Sequence, residues 1–273
     1  GEACDALASI LEKKMPAEKK VQLFQQMRIL QRLDGCVHLS SADQQLHKQE
    51  GQLFNRVSEE VLDAYEELRL RVGTAVHARH CWECLRALLP KLFNFFSHQE
   101  FQVAETVEPF FTSFFTKIKG FMASEGQAPD NSPSHQIDLD EVRPILMQTL
   151  QVVIRRMAYP DWFQHEKATD DEDDHHLAFL EFRKNLTKIY RRIFLLDERM
   201  GYDFLQASIT QLTQQLSVVK PMEAEAILFL FKETGEFVRD LRKHLQGKGP
   251  LTACFVQIVE CDRLLKADHW AVQ

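Results

Sequence analysis

The sequence predicts an all-α protein made of antiparallel helix pairs. Apolar residues recur along the chain at spacings of three and four, which is the period of an amphipathic helix. The 10 glycines and 9 prolines lie mostly between these periodic stretches, and a protein of many strands would need more turn residues. The predicted fold class is a HEAT-repeat-like α-solenoid, a superhelical array of about five helix pairs. A single globular bundle of about ten helices is the less favoured alternative.

The first half of the chain supplies five of the predicted helices. They cover 2–14, 17–33, 42–72, 78–97 and 101–123, and their apolar stripes include, in that order, Leu7 and Leu11, Val21 and Phe24, Leu53 and Val57, Cys81 and Leu85, and Phe110 and Phe114. Pro16 breaks the chain near the start of the second helix. Pro109 is expected to kink the fifth, because proline removes a backbone hydrogen bond. The excess of Phe (20) over Tyr (4) indicates extensive dry packing between helices.

The second half supplies five more helices and two loops, 124–137 and 158–175, that we interpret as insertions. The helices cover 138–157, 176–196, 202–219, 221–246 and 250–267. In 176–196 the apolar residues Phe179, Phe182 and Leu186 fall on one face, and Pro221 suits the first turn of its helix because its φ is already helical. The loop at 124–137 is rich in Ser, Pro, Asp and Asn. We expect residues 1–273 to form a single HEAT-repeat segment.

Charge and cysteine content restrict the function classes. The formal net charge of −7 argues against a protein that is basic over its whole surface, although it leaves room for local basic stripes. The six cysteines lie within or beside helical patterns, as free thiols do in the reducing cytosol or nucleus. No apolar run approaches the roughly 20 residues that a membrane span needs. The chain opens in helical register without Met, which we interpret as a piece of a longer protein.

Patterns that could carry catalysis or bind metal are weak. The CxxC formed by Cys81 and Cys84 falls on the apolar stripe of a predicted helix, and we therefore expect both thiols to pack in the core. The sequence has no Gly-rich phosphate loop, no HExxH and no recognisable arrangement of Ser, His and Asp. We predict a protein that is not an enzyme, with no catalytic residues, cofactor or metal.

An acidic run precedes the helix at 176–196. It consists of Asp170, Asp171, Glu172, Asp173 and Asp174, and its spacing partly matches a calcium loop. The sixth position of such a loop is His175, where the sharp turn demands Gly. We therefore expect a solvated acidic loop whose carboxylates complement the dipole of the following helix. A contact for a basic partner surface is the alternative.

Basic residues form the more informative clusters. They are Lys117 and Lys119 on 101–123; Arg183, Lys184, Lys188, Arg191 and Arg192 on 176–196; and Arg239, Arg242 and Lys243 on 221–246. On 176–196, neighbouring surface positions at steps of three and four residues are occupied by Lys184, Lys188, Arg191 and Arg192. They are either ordinary solvated side chains or contacts for an anionic partner.

Three stretches carry a family resemblance. A helix ends in basic residues at 155–159, an acidic loop with Trp162 and Phe163 follows, and 179–186 then reads Phe-Leu-Glu-Phe-Arg-Lys-Asn-Leu. Two shorter stretches, 3–20 and 222–227, look similar as well. In this order and separation they resemble the tRNA exportin (exportin-t) family of the importin-β/karyopherin superfamily. The loop at 124–137 departs from the family pattern, since it has no counterpart there.

The resemblance implies the central part of a longer nuclear export receptor. Such receptors are superhelical HEAT arrays that bind tRNA together with RanGTP, contact the phenylalanine–glycine proteins of the nuclear pore, and shuttle between nucleus and cytoplasm without entering a membrane. Their main Ran-binding repeats would lie outside this chain. The resemblance also makes 2–14, 42–72, 101–123, 176–196 and 221–246 the inner B helices. The basic clusters would then face the concave side, where phosphate contacts suit an RNA ligand.

Two other functions remain open. The chain is either part of another karyopherin that carries protein cargo, or a HEAT-repeat scaffold with no role in nucleic-acid binding. Dependence on RanGTP would separate the scaffold from the receptors, and tRNA-enhanced Ran binding would separate the two kinds of receptor.

Overall fold

The computed structural model describes residues 15–26, 43–71, 73–123, 137–163, 174–215, 219–238 and 249–261, with Ser9, Lys13, Arg28 and Gln31. Across these residues the regular structure is helical, with no strand. The helices are α1 (Ala17–Gln26), α2 (Gln44–Arg69), α3 (Ala75–Phe96), α4 (Phe101–Ala104), α5 (Glu108–Ala123), α6 (Leu139–Met157), α7 (Asp174–Leu196), α8 (Glu198–Gln214), α9 (Pro221–Phe237) and α10 (Pro250–Glu260). The chain forms two compact units, Gly1–Val142 and Arg143–Gln273.

In the first unit, α2 and α5 are parallel, and α3 runs antiparallel to α2. Residues early in α5 contact the first half of α2, and residues late in α5 contact its end. The Phe110 N–H donates to Asn55 Oδ1 at 2.9 Å, and the Arg69 guanidinium donates to the Phe121 carbonyl at 3.1 Å. The order is reversed for α3, because its end contacts the first half of α2 through Phe95 and Phe54, and its start contacts the end of α2 through Trp82 and Tyr65. In HEAT-type repeats each unit is a pair of antiparallel helices, and the corresponding helices of successive units run parallel to each other. The helices α2, α3 and α5 have this arrangement. The predicted all-α, HEAT-like fold class is confirmed.

Phenylalanine fills the core of the first unit. Its fully buried rings include Phe95, Phe96, Phe110, Phe111, Phe114 and Phe115. The ring centroids of Phe96 and Phe111 are 4.5 Å apart and nearly stacked, and Trp82 lies parallel to Phe114 at 6.2 Å. Burying one such side chain contributes about 1.5–3 kcal/mol. The dry helix–helix packing predicted from the excess of Phe is therefore present.

Pro109 accounts for the interruption between α4 and α5. Residues Glu105–Val107 form a 3₁₀ turn there, where the sequence predicted one kinked helix. Proline has no N–H for the carbonyl of Glu105, and its ring crowds that carbonyl. The side chain of Asn55 caps the next free amide, Phe110 N–H. The interruption is thus stabilised from the neighbouring helix.

In the second unit, Asp197 joins α6 to the start of α8. It is the N-cap of α8, where its carboxylate accepts a hydrogen bond from the Met200 N–H at 3.0 Å. Arg143 of α6 donates to the same carboxylate at 2.8 Å. Gly201 lies so close to α7 that an added Cβ would come within 2.5 Å of the Phe194 ring. The first turn of α8 therefore needs glycine at this position.

Some helix ends differ from the predicted ones. The helix predicted at 221–246 ends at Phe237, because Val238 adopts an extended backbone. The helix predicted at 202–219 begins four residues earlier, at Glu198, and ends at Gln214. Outside the described residues lie the helix predicted at 2–14, apart from Ser9 and Lys13, and the loop at 124–137, apart from Ile137. The division of the chain into one central segment with two insertions stays a prediction.

The cysteines of the CxxC lie in the core, as predicted. Cys81 and Cys84 are buried in the middle of α3. Burial raises the pKa of the Cys81 thiol to about 12 and that of Cys84 to about 11. Thiols with such pKa values are protonated at neutral pH and are poor nucleophiles.

Among the described residues we also find no helix whose length and hydropathy would let it cross a bilayer.

Candidate nucleic-acid interface

Two parallel helices of the second unit, α7 and α9, form the candidate surface. Arg183 of α7 pairs with Glu225 of α9, and Arg191 pairs with Glu233. Because residue numbers increase in the same direction along both helices, α7 and α9 are parallel. On each helix the two residues are eight positions apart, which is about 12 Å along the axis. A groove of about 410 Å³ opens between the helices. We call it the α7–α9 groove.

Arg183 is buried at this groove and links the two helices. It is only 5% exposed, and its Nη2 donates hydrogen bonds of 2.9 Å to both carboxylate oxygens of Glu225. Its guanidinium also lies 3.9 Å from the centroid of the Tyr159 ring and 5.0 Å from that of Phe229. Arginine suits such a site because its planar group can pair and stack at once. Since the charge is already paired and stacked, Arg183 has little left to offer an external phosphate.

Arg191 lies at the edge of the same groove. Its side chain is 42% exposed, and its Nη2 donates to the carboxylate of Glu233. The guanidinium also lies over the Phe237 ring, 5.6 Å from the centroid. Within the described residues its Nε has no hydrogen-bond partner. That Nε is itself buried, so the exposed part of Arg191 lies elsewhere on the side chain.

Lys184 and Lys188 are the most exposed cations of the groove. Their side chains are 66% and 49% exposed. Lys184 Nζ lies 3.1 Å from Glu181, while Lys188 Nζ lies 2.7 Å from Asn185 Oδ1 and 3.8 Å from Glu181. Exposed pairs of this kind contribute about 0–1 kcal/mol, so an incoming anion can replace them at little cost.

In the first unit, Lys117 bridges α5 and α2. Its Nζ donates to Asp63 at 2.7 Å and also to Glu66. Burial would lower the pKa of Lys117, but these two carboxylates raise it above the ordinary value and keep the lysine charged. Lys119 is exposed on the same helix. Of the two, Lys119 is the more accessible to a ligand.

The remaining predicted contacts are only partly described. Arg192 is half-buried on α7 and already interacts within the chain. Asp174 begins α7 and is exposed, so it lies where an acidic side chain favours the helix dipole. Outside the described residues lie Asp170, Asp171, Glu172, Asp173, Arg239, Arg242 and Lys243.

The groove combines cations with an apolar wall. Lys184, Lys188 and Arg191 line it together with Leu180 and Phe229. Burial raises the pKa of Tyr159, whose ring also lines the groove, and the phenol is therefore neutral at physiological pH. Cations beside apolar side chains are groups that can contact the phosphates and sugars of a nucleic-acid backbone. Among the described side chains no three of His, Cys, Asp or Glu are grouped to hold a metal ion.

The sequence interpretation missed the acidic partners on α9. Glu225 and Glu233 neutralise two of the arginines assigned to the basic cluster. A signal was present, because Arg183 and Arg191 have the same spacing as Glu225 and Glu233. Equal spacing on two helices allows two ion pairs between them, in either the parallel or the antiparallel direction. The aromatic contribution of Phe229 has no comparable signal, since it depends on how the helices are rotated.

The comparisons identify the family. A family model described as Exportin-T matches residues 75–261. The chain is 22% identical over 216 residues to Exportin-T of Dictyostelium discoideum, which covers 78% of this chain and 18% of that protein. It is 26% identical over 217 residues to Exportin-T of Neurospora crassa, covering 74% and 19%. The chain thus spans about a fifth of the length of the curated relatives it matches. Because the family model matches more than half of the chain, the chain belongs to the Exportin-T family.

Proposed function

We propose that this chain is the central part of a karyopherin-type nuclear export receptor that binds tRNA together with RanGTP. The family match over residues 75–261 carries the proposal. The exposed lysines of the α7–α9 groove support it, because a tRNA ligand requires accessible cations on a helical surface. The receptor acts by binding and has no catalytic step of its own.

Lys184 and Lys188 are the residues that we propose contact tRNA phosphates. Two lysines held about one helical turn apart can meet phosphates of the RNA backbone. Such contacts read the shape of a folded RNA rather than its base edges. Arg191 contributes once it leaves Glu233, and Arg183 holds the two helices in position.

RanGTP binding and tRNA binding are thermodynamically linked in this proposal. The main contacts with Ran belong to repeats outside this chain, and phenylalanine–glycine proteins of the pore meet the receptor while it shuttles between nucleus and cytoplasm. Two ligands that favour the same arrangement of the repeats raise each other's affinity by one shared coupling free energy. A coupling of about 1–3 kcal/mol corresponds to a roughly 5- to 150-fold change in affinity.

The test is a binding experiment with the full-length protein, immobilised and incubated with RanGTP, with and without tRNA. We expect Ran retention to rise at least fivefold when tRNA is added, by the coupling above. RanGDP is the control, and it should not respond to tRNA. Ran binding that tRNA leaves unchanged would favour a karyopherin for protein cargo. The absence of any Ran binding would favour a scaffold.

A further inference from the structure

The cations of the α7–α9 groove already have internal anions. Glu233 of α9 accepts a hydrogen bond from Arg191, and Glu181 of α7 lies beside both Lys184 and Lys188. These carboxylates occupy positions that a phosphate oxygen would take if it bound to the same nitrogens. An anion that binds at the groove therefore replaces a carboxylate as the partner of these cations.

The two arginine–glutamate pairs between α7 and α9 differ in how readily they can exchange. The Arg183 side chain is 6% exposed and takes both oxygens of Glu225, so opening that pair would leave a buried charge without a partner. Arg191 is 42% exposed and binds Glu233 through one nitrogen. Its Nε is buried and has no hydrogen-bond partner among the described residues, so the exposed part of the side chain lies elsewhere. The Arg191–Glu233 pair can open toward solvent, whereas the Arg183–Glu225 pair cannot.

We propose that the α7–α9 groove is a binding subsite for one RNA phosphodiester, with Lys188 and Arg191 as its ligands and Glu233 as a built-in competitor for Arg191. This inference rests on the proposed function, since it names how the same surface engages RNA. Glu233 is only 10% exposed at its side chain and cannot retreat into solvent when phosphate arrives. The phosphate and the carboxylate repel each other across the groove. Glu233 therefore lowers the affinity for free RNA and makes it depend on how α7 and α9 are arranged.

A gain of affinity distinguishes this role from a purely structural one. Glu233→Gln keeps the size of the side chain and removes its charge, so Arg191 becomes available to phosphate. We expect the full-length variant to bind tRNA about fivefold more tightly than the wild type without RanGTP, which is the size of one exposed ion pair. The dependence of log affinity on log salt concentration should steepen by about one unit, because one more cation meets a phosphate. Fluorescence anisotropy of labelled tRNA over a salt series measures both.

Two variants of α9 serve as matched controls. Glu236→Gln makes the same change in net charge at an exposed pair with Lys232, and it should alter tRNA affinity less than twofold. Glu225→Gln disturbs the buried pair and should lower the thermal unfolding temperature without tightening binding. Should Glu233→Gln fail to fold, Arg191→Gln tests the same ligand from the other side. We expect it to weaken tRNA binding about threefold, with Arg199→Gln as its control.

Each outcome decides between the claims. Unchanged or weaker tRNA binding by Glu233→Gln, with normal RanGTP-dependent binding by the wild type, overturns the inference and leaves the proposed function standing. Tighter binding of RanGTP by Glu233→Gln in the absence of tRNA would assign the groove to an acidic protein segment and overturn the RNA subsite. A wild type that does not bind tRNA even with RanGTP overturns both.

Discussion

At the scale of single residues, the structure separates cations that the sequence grouped together. Arg183 and Lys184 are neighbours in sequence, yet one is buried against Glu225, Tyr159 and Phe229 and the other is 66% exposed. Helical spacing predicts which side chains share a face, but it does not predict what the next helix places over them. The sequence therefore placed these cations on one helix and could not distinguish the buried Arg183 from the exposed Lys184 and Lys188.

Arg183→Ala should be strongly destabilising. Removing the arginine of an ion pair this deeply buried costs about 3–5 kcal/mol, and the stacking on Tyr159 is lost as well. Urea unfolding followed by circular dichroism measures the change in the free energy of unfolding. Lys184→Ala is the control and should cost less than about 0.5 kcal/mol. Equal stabilities of the two variants would contradict the buried role of Arg183.

At the scale of secondary-structure elements, most of the helices could be predicted and their ends could not. Apolar spacing located α2, α3, α6 and α7 to within a few residues because their buried faces are continuous. The α9 helix was predicted nine residues too long. Thr234 and Val238 have low helix propensity and Gly235 lower still, and the chain turns extended at Val238. The interruption at Pro109, by contrast, has a local cause, the missing N–H of proline, which disturbs a helix in any context. It could therefore be predicted from the sequence.

The start of α8 should respond to acid. Burial alone would raise the pKa of Asp197, but Arg143 and the Met200 N–H hold it below the ordinary value. A carboxylate with a lowered pKa in the folded state stabilises the protein above its unfolded pKa of about 3.9. That contribution is lost as the pH falls through the lower, folded pKa.

Two substitutions separate the charge of Asp197 from its capping role. Asp197→Asn keeps an N-cap side chain and loses the ion pair, so it should cost about 1 kcal/mol at pH 7 and progressively less as the pH falls below about 4. Asp197→Ala should cost about 1 kcal/mol more at every pH, since it also removes the cap. Thermal unfolding across a pH series checks both. A penalty for Asn that does not change with pH would contradict the ion pair with Arg143.

At the scale of the whole molecule, the proposed function involves more than this chain. The chain spans about a fifth of the length of its curated relatives, and the proposed Ran contacts lie in other repeats. The family and the all-α fold class could be predicted from three short stretches and from apolar spacing. Which face meets a ligand could not, because the parallel pairing of α7 with α9 becomes visible only when both helices are placed together.

The isolated chain should bind tRNA weakly and with strong salt dependence. Few cations of the groove are free of internal partners, and we propose that the main contacts with the cooperative ligand RanGTP lie in repeats outside this chain. We expect a dissociation constant no tighter than about 1 μM at physiological salt, as is usual for non-specific electrostatic binding. Filter binding of labelled tRNA over a salt series measures it. Nanomolar affinity of the isolated chain would show that the other repeats are dispensable.

The central claim is that Lys184 and Lys188 on α7 meet tRNA phosphates, and the most direct test measures tRNA affinity of the full-length protein with RanGTP after reversing both charges. For Lys184→Glu/Lys188→Glu we predict at least a tenfold loss, with a salt slope lower by about two units. Arg199→Glu/Lys232→Glu makes the same charge change at exposed positions away from the groove lining and should bind nearly as the wild type does. Wild-type affinity and salt slope in the lysine variant would contradict the claim.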